Sequence, residues 1–456
     1  MQNISRFKLL MLPAFVLLMM AGLKANAQKV ISLQQAVDST IKNNLTIKQA
    51  QLTEALADQD YQQAKYNELP SLSATPQGGY YFGKSQVADQ LAYSTQALNI
   101  NAQAALSLTL FQGKQLHNLI LQNKLTLDAD KTSTEKIKND LLLNVVTQYL
   151  TILTDQDLVK AAKEQLEIAK ITLDRAQKNF DAGNATRADL AQAEAQVQSA
   201  QLTLTNDQNQ LDIAVLTLKQ YMEMNPSTDI KIEIPDISKL TNVQTVFSAT
   251  DVIKSAFAIN PDIKLAELQE ITYKQAIKVA QGAYYPIVSL YGGLGTSYSN
   301  QAYNYDLATG ARLNLIPLNT QLSNNFNQFV GLNLTIPIFT KFANRTAVTK
   351  AKLNYEYAKV TTELARNTLA KTITQAVLDL ESAEKSYESA VKTFESNKEA
   401  LNVTKQRYDA GLVNTLDYNT ALTNYDTAQN TMIEDQYLVV FRSKVIDYYL
   451  GNPITL

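Results

Sequence analysis

The sequence predicts a mixed α/β membrane protein made of two structural repeats, each contributing two transmembrane β-strands and long coiled-coil α-helices. Three observations predict it. Landmarks recur at one spacing along the 456 residues: Gly183 and Gly411, Asp189 and Asp417, and Phe111 and Phe339 all stand 228 residues apart. Segments of two-residue apolar alternation fall at equivalent places in both halves. A stretch of roughly 67 residues, 114–180, holds neither Pro nor Gly, and as one helix it would run about 100 Å at ~1.5 Å per residue.

The chain opens with a secretory signal peptide. Arg6 and Lys8 precede an apolar run over 9–23, and Ala25-Asn26-Ala27 supplies small residues for cleavage before Gln28. That run is short of the ~20 residues a spanning helix needs. Export without a single cysteine excludes disulfides, a thiolate nucleophile and an N-terminal lipid anchor. After 1–27 come a first repeat at 28–221, an equatorial connector at 222–250 with Pro226 and Pro235, and a second repeat at 251–456.

Within each repeat the texture changes in the same order. Residues 33–68 and 250–283 are expected as helices, stopped by Pro70 and Pro286, which a strand start tolerates and a helix interior does not. Asn44 with Ile47 matches Asn260 with Ile263 here, at an offset of 216, so the second copy holds a 12-residue insertion before Phe339. Strands are predicted at 71–82 and 102–110, then at 288–298 and 330–338. In 102–110, Ala102, Ala104, Leu106, Leu108 and Leu110 oppose Gln103, Ser107 and Thr109. One apolar and one polar face suit a strand between lipid and water. Long polar loops are expected over 83–100 and 299–328, the insertion lying in the second.

The long helices carry steps of four and three, as in Leu158, Ala162, Leu166, Ala169, Leu173, Ala176 and Phe180. Each ends at a glycine and turns into a return helix, Leu190 to Leu218 in one copy and Tyr418 to Ile446 in the other. Asp207 and Asp435 interrupt both return seams at one level, first as a register device and second as pore chemistry.

Without another long apolar helix, a closed barrel is the remaining way through a bilayer. Four strands cannot close one, since the smallest membrane barrels have about eight. The chain must therefore share its barrel, and a ring of three gives twelve strands with room for a lumen.

The order of elements resembles the outer membrane efflux protein family, the TolC-like channels, over nearly the whole chain. The motif Arg407-Tyr408-Asp409-Ala410-Gly411 with Asp417 carries the resemblance, with a weaker echo from Phe180 to Asp189; so do the strand ends Leu334-Thr335-Ile336-Pro337-Ile338-Phe339 and Leu106 to Phe111. The resemblance implies a homotrimer with a twelve-stranded outer-membrane β-barrel and an α-helical tunnel into the periplasm. It implies a periplasmic adaptor and an inner-membrane pump as partners, outward passage of solutes or polypeptides in tripartite efflux or type I secretion, and no cofactor.

It also implies that the helix-turn-helix tips form the periplasmic gate. The residues concerned are Asp189, Asp417, Tyr408 and Arg187, with Gly183, Gly411, Phe180 and Arg407 at the turns and adaptor contact. Asp189 and Asp417 admit two roles, helix capping or a carboxylate ring favouring cations. Tyr408 matches a gate tyrosine, but the family's gate Arg falls at Val413 and a further acid at Thr420, leaving Arg187 as a substitute cation.

Other functions find little support. The lone His117 sits near a strand-to-helix junction, no serine elbow, phosphate loop or metal cluster is present, and a net charge of -2 gives no footprint for nucleic acid. The heptads alone also fit a periplasmic or surface coiled-coil stalk or adaptor without a pore, which leaves the paired amphipathic strands unexplained.

Overall fold

The computed structural model describes residues 29–85, 93–235, 247–306 and 308–452. The signal peptide expected at 1–27 lies outside them. In chain order the elements are β1 (Lys29–Ile31), α1 (Leu33–Asn43), α2 (Leu45–Tyr66), β2 (Ser71–Ser85), β3 (Tyr93–Gln112), α3 (Gln115–Asp181), α4 (Arg187–Tyr221) and β4 (Ile230–Ile232). The second copy follows as α5 (Ala249–Ile259), α6 (Pro261–Gly282), β5 (Ile287–Ser299), β6 (Tyr303–Tyr305), β7 (Arg312–Leu315), α7 (Leu318–Asn324), β8 (Asn327–Thr335), α8 (Ala343–Asp409) and α9 (Thr415–Leu450). Helices α3 and α8 are both 67 residues long.

Two compact units cut across the repeats. One comprises 49–136 and 260–369; the other comprises 1–48, 137–259 and 370–456.

The first unit holds a four-stranded antiparallel sheet in the order β2-β3-β5-β8, so the repeats meet at the β3–β5 ladder. Its register sorts the side chains by chemistry. Leu72 pairs with Leu106 and Ala74 with Ala104; Leu106 pairs with Gly292, Leu108 with Leu290, and Leu290 with Leu332. Over these pairs that face is apolar or small, while the other carries pairs such as Ser71 with Ser107, Thr75 with Gln103 and Ser289 with Asn333. All four strands reach or exceed the ~9–11 residues that a tilted membrane strand needs. Among the described residues no helix is long and apolar enough to cross a membrane.

Several expected boundaries are corrected. The helices expected at 33–68 and 250–283 are each broken, at Asn44 and Asn260, the very positions that match between copies. Both have extended backbone, and their side-chain carbonyls accept from the N–H of Thr46 at 2.9 Å and of Asp262 at 2.8 Å, so each starts a fresh helix. The loop expected at 83–100 is largely strand: β3 begins at Tyr93, and Leu98 and Ile100 continue the apolar face opposite Tyr80 and Gly78. The loop expected at 299–328 contains the β6–β7 hairpin and α7, pinned by buried Gln321, whose Nε2 amide donates to the carbonyls of Ser299 and Ile316. Finally β8 stops at Thr335 instead of 338, because Pro337 has no N–H for the ladder.

The strand-to-helix junctions repeat in backbone detail. Gly113 and Lys114 have φ of 56° and 58°, and Lys341 and Phe342, 228 residues on, have 53° and 62°.

The second unit is helical, with a core around Val145, Val146, Tyr149, Ile152, Leu218 and Val440. The connector contributes to that core. Its strand β4 pairs in parallel with β1, laying Ile230 and Ile232 on the cluster, and the Tyr149 hydroxyl donates to the carbonyls of Glu233 at 2.8 Å and Ile31 at 3.2 Å. Residues 236–246 of the connector lie outside the described ones.

Candidate functional site

The two helix-turn-helix tips lie in the helical unit and start from identical turn chemistry. In the first, the N–H of Gly183 donates to the Phe180 carbonyl at 2.9 Å and that of Asn184 to Asn179 at 2.8 Å; in the second, Gly411 donates to Tyr408 at 3.0 Å and Leu412 to Arg407 at 2.8 Å. These bonds satisfy carbonyls that a helix end leaves bare, and they require a left-handed residue. Gly183 and Gly411 supply it, with φ of 76° and 73°.

Beyond the glycines, both return helices are capped on their N–H groups. Thr186 and Asp189 bond reciprocally: the Asp189 N–H donates to Thr186 Oγ1 at 3.2 Å, and the Thr186 N–H and hydroxyl donate to Asp189 Oδ2 at 2.9 and 2.7 Å. Those bonds, the hydroxyl first, hold the Asp189 carboxyl below its ordinary range, with Thr415 of the other tip adding to them. In the second tip the cap is Asn414, whose side-chain carbonyl accepts from the Asp417 N–H at 2.8 Å. The Asp417 carboxylate is exposed and has no side-chain partner among the described residues.

The rest of the second tip is tied to the first. Arg175, on α3, pairs with Asp409 and stands 5.0 Å from the centre of the Tyr408 ring. Tyr408 stacks on Tyr418 with ring centres 4.9 Å apart and planes 12° apart, and its hydroxyl lies 3.5 Å from Thr415 Oγ1. Tyr418 is buried, which pushes its hydroxyl up against a bond with Thr172 that works the other way. Phe180 instead packs into a small apolar cluster of its own hairpin, with Ala176, Leu190 and Ala193.

The expected gate residues thus separate. Tyr408 is in the inter-hairpin contact; Asp189 caps and touches it through Thr415. Arg187 and Arg407 are exposed and make no ion pair among the described residues, whereas Arg175 pairs with Asp409. Sequence reasoning missed Arg175 because 234 residues separate it from Asp409. It placed capping on Asp189 and Asp417 and missed Thr186 and Asn414 as the N-cap residues, although each stands three residues before an Asp, the spacing of a capping box.

Further along the helices, acids gather at one level. Burial, and then the charge of Asp207, push Asp155 up to about 6; burial, then Asp435 and Asp207, raise Glu434. Asp207 and Asp435 are raised by burial too. Asp155 is 7% exposed and its Oδ2 has no hydrogen-bond partner. Nearer the tip, burial pushes Asp426 up to about 7. Among the described residues no group of His, Cys, Asp and Glu has the arrangement of a metal site. Between α8 and α9 runs a cavity of about 480 Å³ lined by hydroxyl and amide side chains, including Ser386, Thr393, Asn424 and Thr431.

The model of the family described as outer membrane efflux protein matches residues 36–222 and 252–452. The chain belongs to the outer membrane efflux protein family. The TolC outer membrane protein of Salmonella enteritidis is 23% identical over 451 residues, covering 97% of this chain and 86% of its own. The outer membrane efflux protein BepC of Brucella suis is 22% identical over 436 residues, covering 94% and 87%. The crystal structure of the Campylobacter jejuni CmeC outer membrane channel superposes with a TM-score of 0.76 at 20% identity, over 92% of this chain and 85% of that one.

This efflux protein resides in the outer membrane, with its helical tunnel on the periplasmic side, and is an outer-membrane channel of tripartite efflux systems. The family is one of channels. The pore-less coiled-coil alternative gives way to the family match, and the apolar band of the sheet around Leu106, Leu290 and Leu332 suits a channel in lipid.

Proposed function

We propose that the chain works as a homotrimer whose periplasmic end is held shut, within each protomer, by the contact of Arg175 with Asp409 and Tyr408. Trimerisation is supported by the two open edges, β2 and β8, of a four-stranded sheet in a membrane. Lipid offers no partner for unpaired backbone, so the edges must pair with further copies, and three copies make twelve strands. The tips admit a periplasmic adaptor, and the polar cavity between α8 and α9 offers helices of such a partner a groove; an inner-membrane pump then drives solutes or polypeptides through.

The latch carries the gating reading. An exposed ion pair contributes about 0–1 kcal/mol, a cation over an aromatic ring about 0.5–1, and a stacked ring pair about 0.5–1.5. Each protomer's latch is therefore strong enough to bias the tip closed and weak enough for a docking partner to release. Asp189 is engaged by Thr186 and Thr415, whereas Asp417 is unengaged, so a cation-favouring ring at the entrance rests more on Asp417.

Planar-bilayer conductance of the detergent-purified protein, with its oligomer mass measured on the same sample, tests this. A trimer of low conductance that rises in Arg175→Ala, and loses cation preference more in Asp417→Ala than in Asp189→Ala, supports the reading. A monomer, or equal conductance with and without Arg175, rejects it.

A further inference from the structure

We infer that the periplasmic foot of the sheet carries a binding site for the phosphate headgroup of an anionic phospholipid. A cavity of about 680 Å³ lies where the strands give way to helices, with Phe111, Lys114 and Asn118 on the β3–α3 side and Lys278, Tyr284 and Tyr285 at the end of α6. That volume is within the range of small-molecule sites. Its lining holds two lysines and no carboxylate. Both lysines are exposed, and neither is ion-paired among the described residues. A cavity of this charge selects an anion.

The register says which anion. Thr109 pairs with Ser289 on the polar face, but a bulge at Leu110 shifts the strand so that Phe111 pairs with Val288, which pairs in turn with Leu334. The extra residue turns Phe111 onto the apolar face. The cavity therefore shares a wall with the surface that faces acyl chains. A ligand that fills the cavity with a phosphate and continues along Phe111, Val288 and Leu334 with hydrocarbon is a lipid of the periplasmic leaflet. Tyr284 and Tyr285, 51% and 55% exposed, are the amphipathic rings that favour the headgroup level. This site is independent of the tips and of their gating.

The test is native mass spectrometry of the intact, detergent-released protein supplemented with phosphatidylglycerol or phosphatidylethanolamine, for wild type, Lys278→Gln, Lys278→Arg and Lys114→Asn. Asn is chosen at 114 because it tolerates the left-handed backbone there. Wild type should retain phosphatidylglycerol over phosphatidylethanolamine. Each neutral variant should lose about fivefold in retention, the effect of one lysine at an anionic surface, and Lys278→Arg should keep it. Excess inorganic phosphate should leave the lipid bound. Unchanged retention in the assembled Lys278→Gln protein overturns the proposal; so does equal retention of the two lipids, and so does displacement by phosphate alone, which would make the cavity a free-anion site.

Discussion

The two hairpin tips share a backbone and differ in what their side chains hold. Gly183 and Gly411 close the same pair of hydrogen bonds with nearly the same φ, and each return helix starts from a cap three residues before an Asp. Yet the first tip is satisfied mostly within itself, with Phe180 in its own apolar cluster and Asp189 bonded first to Thr186 and only secondarily to Thr415 of the other tip. The second reaches outward, with Asp409 and Tyr408 on Arg175 and Tyr408 on Tyr418. Duplication thus preserved what the turn needs, while the side chains that the turn leaves free differ between the tips, and the proposed latch uses only those of the second with Arg175.

That contrast can be broken in order of effect. Arg175→Ala should raise single-channel conductance several-fold, whereas Arg187→Ala on the self-contained tip should leave it nearly unchanged; equal responses would erase the distinction between tips. Gly183→Ala and Gly411→Ala should each cost about 1–2 kcal/mol in thermal unfolding, and by the same amount, because the added methyl meets nothing within 4 Å at either and only the left-handed backbone is strained.

Acids distinguish the tips from the helices behind them. Asp155 is raised, so its contribution is present below the ordinary carboxylate range of about 4 and is lost as pH rises through about 6. Asp155→Asn should therefore raise the melting temperature at pH 8 and leave it little changed at pH 4. Asp189 is lowered, and the sign reverses: its stabilisation is present above about pH 4 and is lost on acidification. At the small end, Asp189→Ala should cost about 1 kcal/mol through the broken cap, and Asp417→Ala only about 0.3–0.5, through the helix dipole. Matched costs would show Asp417 to be a cap as well.

Much of this was legible in the sequence because it is local. The tip glycines, Pro70, Pro286 and the alternation from Ala102 to Leu110 each act through their own backbone. Asn44 and Asn260 match between copies, but their sequence does not reveal a helix break, since an Asn that caps looks like any polar helix residue until its φ and ψ are known. Strand Tyr93 to Asn99 was hidden by its polar composition, which partner strands tolerate far from the apolar band. Arg175 left no local trace, because its role depends on helices brought together from opposite ends of the chain.

The most direct test of the latch uses the absence of native cysteine. Arg175→Cys with Asp409→Cys, joined by a short bismaleimide in the assembled protein and studied in planar bilayers, puts a covalent link where the ion pair stands. The account predicts that the unlinked double variant conducts more than wild type and that linking returns it to the low-conductance state. Conductance that stays high after complete linking would contradict it, and would place the constriction elsewhere in the tunnel.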